Sequence, residues 1–102
     1  MGKVAMYLVS STKRFDKDYA RLVKRGWDLS KLDRAIGLLA MGQKLPREYS
    51  DHALRGQFVG KRECHIGGPK SNWLLVYRKI ESQLILELIT TGSHQDLKIG
   101  EK

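Results

Sequence analysis

Very little in this 102-residue sequence could staple it, anchor it or extend it. The one cysteine, Cys64, cannot form an internal disulfide, and the paired spacing that structural zinc requires is missing. Its thiol is expected in the core, and no metal or other cofactor is expected. The early apolar run, residues 4–9, is too short for a secretory h-region, and no later run approaches a membrane span. A cytoplasmic address without a membrane partner is the expectation. Internal repeats and low-complexity tracts are absent too. Acidic residues are the other scarcity, at 11 against 19 Lys and Arg, which leaves a net charge of +8. So positive a surface on so small a body favours a polyanion, and nucleic acid before an acidic protein or a lipid surface.

What is present is the composition of one folded domain spanning residues 1–102: 41% hydrophobic and 29% charged. Residues 4–9 read as a strand that runs into the capping residues Ser10, Ser11 and Thr12. Phe15, Tyr19, Leu22 and Val23 recur at helical spacing over residues 12–25, and Gly26 supplies a left-handed stop. A second helix fits residues 29–41, with Leu29, Leu32, Ile36 and Leu39 on one face, Asp28 as cap and Gly42 as terminator. Residues 43–51, with Pro46, form a connection. Three strand-like segments follow at 61–66, 73–79 and 84–90. The order predicts an α+β domain: strand, helix, helix, then a three-stranded antiparallel meander, with the helical hairpin packed on a curved sheet.

The first helix carries Lys13, Arg14, Lys17, Arg21, Lys24 and Arg25 against Asp16 and Asp18, so half of the net charge sits there. It reads either as a solvated face or as a surface that contacts a phosphate backbone, the face that an RNA or ribosome partner would meet if the chain has one. The three histidines, His52, His65 and His94, all lie in the second half of the chain. Alternation along 61–66 puts His65 and Glu63 on one strand face and Arg62, Cys64 and Ile66 on the other, and loops carrying His52 and His94 could converge on the first. Imidazole titrates near neutrality, so one ring can take a proton from a ribose 2′-hydroxyl while another protonates the leaving oxygen. A zinc site from these histidines and Cys64 does not fit, because the spacings match no compact pattern and Cys64 alternates away. Trp73, Leu75 and Tyr77 alternate as a core-facing row, although Trp73 could also stack on a base.

The segments Asp51-His52-Ala53-Leu54-Arg55-Gly56, Arg62-Glu63-Cys64-His65-Ile66, Trp73-Leu74-Leu75-Val76-Tyr77 and Thr91-Gly92-Ser93-His94 together resemble the YafQ branch of the RelE/ParE toxin superfamily. The resemblance extends back through Phe15-Asp16-Lys17-Asp18 and covers nearly the whole chain. It implies the toxin half of a bacterial type II toxin–antitoxin pair, an endoribonuclease that cuts mRNA on the ribosome without metal. It carries His52, His65, His94 and Glu63 over as catalytic positions and Trp73 as a substrate-side position. Asn72, Arg62 and Arg78 join them as candidate substrate contacts, with His94 as general acid, His65 as base or its partner and His52 as a positioning or relay group. The implied partners are a small acidic antitoxin, the ribosome and its message, and operator DNA only through the antitoxin. Three departures stand out: Asn72 where the family has an acid, Thr90 where an arginine can stand, and Leu97, Lys98 and Ile99 where an aromatic can follow. The loop 67–72 is also longer. These departures motivate an alternative, a RelE-fold protein that binds antitoxin or ribosome without cleaving RNA.

Overall fold

The computed structural model describes residues 6–97. Strand β1 (Leu8–Ser11) leads through Thr12 into helix α1 (Lys13–Lys24), and α2 (Leu29–Ala40) follows. Both helix starts are capped as read from sequence: the Thr12 hydroxyl accepts from the Phe15 N–H, and the Asp28 carboxylate accepts from Ser30. A short 3₁₀ turn (Arg47–Tyr49) precedes the two-residue strand β2 (His52–Ala53), and a second turn (Gly56–Phe58) precedes β3 (Arg62–His65). Then come β4 (Trp73–Ile80), β5 (Ile85–Ser93) and the short helix α3 (His94–Leu97).

The strands form one sheet in the order β1-β5-β4-β3-β2. The expected meander is there as β3-β4-β5, antiparallel throughout, while β1 joins its far edge parallel to β5. The first strand begins later than the apolar run suggested. Leu8 and Val9 are exposed on an edge, and Val4 and Ala5 lie outside the described residues, as do Lys98 and Ile99.

Both helices cover one face of the sheet. Phe15, Leu22, Leu32, Ala35 and Leu39 pack against Cys64, Ile66, Trp73, Leu75, Tyr77, Leu86 and Leu88. This is the alternation at work, since Cys64 pairs with Leu75 and Arg62 with Tyr77 in register. The opposite face carries a smaller cluster of Leu74, Val76 and Leu97 with Leu54, Phe58 and Ile89. Glu63 pairs with Val76 and His65 with Leu74, so both polar residues stand on that second face. Between Val76 and Tyr77 the register with β5 slips, and Ile89 becomes the extra residue of a bulge.

Helix α1 is pinned to β5 through a carboxylate in its apolar stripe. Asp18 is fully buried and accepts from the Thr90 hydroxyl, the Thr91 N–H, Arg14 Nε and Arg21 Nη2. Thr90, flagged above as a departure, is thus a structural anchor.

Candidate functional site

The second sheet face gathers the histidines. The β2–β3 pairing sets His52 directly opposite Glu63. Glu63 is 5% exposed, and its Oε2 lies 3.7 Å from His52 Nε2 and 3.8 Å from His65 Nε2. The His65 and His94 rings are 5.7 Å apart, tilted at 57°. All three expected histidines and Glu63 therefore come together.

Each imidazole is held from behind. His52 Nδ1 donates to the Ser50 carbonyl at 2.8 Å, His65 Nδ1 to the Ser71 carbonyl at 3.1 Å and His94 Nδ1 to Asn72 Oδ1 at 2.7 Å. Carbonyl oxygens only accept, so the neutral rings carry hydrogen on Nδ1 and keep the Nε2 lone pair. For His52 and His65 that free nitrogen faces the Glu63 carboxylate. Ser50 adopts the left-handed conformation (φ 49°), which turns the chain back so that its carbonyl meets His52.

His94 is the most constrained of the three. It opens α3 inside a reciprocal cap: Ser93 Oγ accepts from the Asp96 N–H, and the Asp96 carboxylate accepts from the Ser93 N–H. Arg25 grips the same carboxylate at 3.2 Å. Burial tends to raise the Asp96 carboxyl, but the Ser93 bonds and Arg25 outweigh it and hold the carboxyl below its usual value. Asn72 Oδ1 also accepts from the His94 backbone N–H at 3.2 Å. Gly92 is required at the corner, because a Cβ there would meet Asp96 at 3.2 Å with φ at +154°.

Several expected site residues lie elsewhere. Trp73 is buried in the main core, stacked edge-on against Trp27 at 4.9 Å, with its Nε1–H donated to Thr91. It offers no ring to a base. Arg62 points to the helix side, where it pairs with Asp51 beside the Tyr77 hydroxyl; strand alternation alone had placed it there. Arg78 lies further along β4 and is held by Glu87 at 2.9 Å. Asn72 orients His94, a role that differs from the substrate contact expected of it. On α1 only Lys13, Lys17 and Lys24 remain as an exposed basic face without an ion pair among the described residues. Arg14 and Arg21 bind Asp18, and Arg25 binds Asp96.

The sequence signalled no metal, yet ligand atoms of Glu63, His65 and His94 lie within 4.8 Å of one another. Two imidazoles and a carboxylate are a donor set that suits a transition metal. Glu63 takes the place in this set that the sequence offers to Cys64. Cys64 is fully buried among apolar side chains, and burial pushes its thiol well up, so it is neither ligand nor nucleophile.

Comparison with known proteins agrees with this architecture. The structure superposes on a metal-bound toxin from Helicobacter pylori with a TM-score of 0.81 and 41% identity, covering 90% of this chain and 99% of that one. It superposes on an Escherichia coli DinJ-YafQ toxin–antitoxin complex with a TM-score of 0.79 and 29% identity, covering 90% and 97%. Fold and histidine face together belong to a toxin of the bacterial type II toxin–antitoxin class. The mRNA interferase toxin YafQ of Escherichia coli strain K12 is 33% identical over 85 residues, 82% of this chain and 87% of that protein. Residues 7–99 match the family described as "Bacterial toxin of type II toxin-antitoxin system, YafQ", and the chain belongs to that family. Among the described residues no helix is long and apolar enough to cross a membrane.

Proposed function

We propose that this toxin is a ribosome-dependent endoribonuclease that cuts mRNA by histidine general acid–base catalysis, with no resident metal. The observation that carries the reading is the set of three imidazoles fixed at Nδ1, two of them turning Nε2 toward the shared carboxylate of Glu63. Nothing about that constellation serves packing. It holds proton-transfer groups in one tautomer on an accessible face, as acid–base catalysis at neutral pH demands.

His65 accepts the proton from the ribose 2′-hydroxyl as its oxygen attacks the adjacent phosphorus. Glu63 stabilises the resulting imidazolium, and His52 on its other side relays or shares the charge. The bond from phosphorus to the 5′-oxygen breaks, His94 in its imidazolium form gives its Nε2 proton to the leaving oxygen and becomes the neutral Nδ1–H ring, and a 2′,3′-cyclic phosphate remains. Asn72 and the Ser93–Asp96 cap keep His94 aimed. The exposed lysines of α1 meet the phosphate chains of the ribosome. An acidic antitoxin supplies the opposite charge that neutralises the surface, and operator DNA is reached only through it. The Escherichia coli relatives named as an mRNA interferase and as a complex with DinJ support this assignment.

The test is to add antitoxin-free protein to ribosomes programmed with a defined message and to map new 3′ ends, with naked mRNA and His94→Ala as controls. Ends that appear only on ribosomes and vanish in the variant are expected. A folded protein that binds ribosomes and generates no ends refutes the catalytic reading and leaves the binding one.

A further inference from the structure

A second cleft opens on the far side of the β3–β4 loop from the histidines. It has a volume of about 460 Å³ and is lined by Ser30, Lys31 and Arg34 of α2, Glu48 and Tyr49 of the 3₁₀ turn, and Gly67 and Gly68 of the loop. Lys31, Arg34 and Glu48 form no ion pair among the described residues, so three unspent charges line the cleft together with Tyr49, which is half-buried against the main core. The catalytic face adjoins it. Gly67 follows His65 by two residues, a span of at most about 7 Å, and the Ser71 carbonyl that holds His65 belongs to the same loop.

We propose that this cleft holds one unstacked nucleotide of single-stranded RNA and reads guanine in it, which makes Glu48 a specificity-determining residue. This rests on the RNA-cleavage reading and extends it to the choice of site. A splayed-out base needs an aromatic face, which Tyr49 offers. The phosphates flanking it need cations, which Lys31 and Arg34 offer. Glu48 is the discriminating group: a carboxylate in an otherwise cationic cleft repels a bare phosphate but accepts two hydrogen bonds at once from the N1–H and N2–H of guanine. Adenine and uracil present no such donor pair. Gly67 and Gly68 have no Cβ to narrow the opening.

The experiment measures fluorescence anisotropy of the antitoxin-free full chain with labelled 2′-O-methyl RNA heptamers, which cannot be cut, containing one guanine or an adenine in its place. The guanine heptamer is expected to bind about tenfold tighter, within the range of a good bidentate contact. Glu48→Ala should erase that difference, and Lys31→Ala with Arg34→Ala should weaken both heptamers about tenfold and flatten the salt dependence. Unchanged guanine preference in Glu48→Ala, with a wild-type melting profile, overturns the proposal. Titration of empty ribosomes separates two sources of the nucleotide. Weakening of the cleft variants there and not on heptamers assigns the cleft to ribosomal RNA and refutes recognition of the message. Heptamer binding needs no catalysis, so a protein that binds guanine in the cleft but generates no 3′ ends would sink the nuclease reading alone.

Discussion

Removing the Asp18 carboxylate should cost this protein a large part of its stability. Asp18→Ala leaves the buried Thr91 N–H without an acceptor, at about 1–3 kcal/mol, and strips the Thr90 hydroxyl of its partner as well. The two arginines recover much of their loss in water, because their side chains are 56% and 37% exposed, and contribute at most about 1 kcal/mol each. The loss comes to about 3–5 kcal/mol, the range for breaking a buried ion pair. In a domain of this size that lowers the melting temperature by roughly 15–30 °C. Urea denaturation of wild type, Asp18→Ala and Asp18→Asn measures it, with an unchanged slope as the condition for comparing midpoints. Asp18→Asn keeps an acceptor oxygen without the charge and should fall between the other two. Asp16→Ala is the control, since Asp16 is exposed and its carboxylate bonds only the Ser11 hydroxyl among the described residues. If Asp18→Ala lost less than about 1 kcal/mol, α1 would not be pinned to β5 through this carboxylate, and the account of Thr90 would be wrong.

Trp73→Ala should cost about 3–5 kcal/mol as a core deletion, whereas Trp73→Phe should retain RNA cleavage; a folded Trp73→Phe protein without cleavage would return this residue to the substrate side. Saturating zinc or copper(II) should stabilise the fold through Glu63, His65 and His94 by about 2.7 kcal/mol at a hundredfold excess over Kd, read as a higher melting temperature, and should suppress cleavage by occupying the lone pairs; no shift in wild type, or an equal shift in His94→Ala, would remove the cluster as a metal trap. Because the Asp96 carboxyl is held below its usual 3.8 in the folded chain, the cap is fully stabilising above that value and loses its contribution as pH falls through the lower, folded one. Melting temperature followed from pH 6 to pH 2 should therefore decline less steeply in Asp96→Asn than in wild type, and parallel curves would exclude the linkage.

Local signals carried most of the fold. The two helices could be bounded within a residue or so because Thr12, Asp28, Gly26 and Gly42 are stop and start signals that act on their own neighbours. Strand β2 was invisible: two residues have no periodicity, and only pairing with β3 makes His52–Ala53 a strand. Helix α3 was overlooked although Ser93 and Asp96 show capping-box spacing, because four residues lie below the length that periodicity detects. At the site, strand alternation correctly joined Glu63 to His65 and sent Arg62 away. It also placed Trp73 with Leu75 and Tyr77, and the core position of Trp73 follows that pattern in preference to the family resemblance. By sequence Asp18 is one charge among many on a basic helix. Its signal was its place between Phe15 and Leu22, an acid inside the apolar stripe. The cleft at Tyr49 lay beyond reach, since it joins α2, a turn and a loop that no local pattern connects.

The position of β5 bears on how a cell makes this protein. It lies between β1 and β4, pairs with both, and is synthesised after the other four strands. While the nascent chain is still short of residue 85, the first strand has no partner and the meander has an open side. His94 follows β5 directly, so the histidine face is incomplete until residue 94 has been made. The ribosome building the toxin thereby faces an incomplete sheet until β5 and then His94 have emerged.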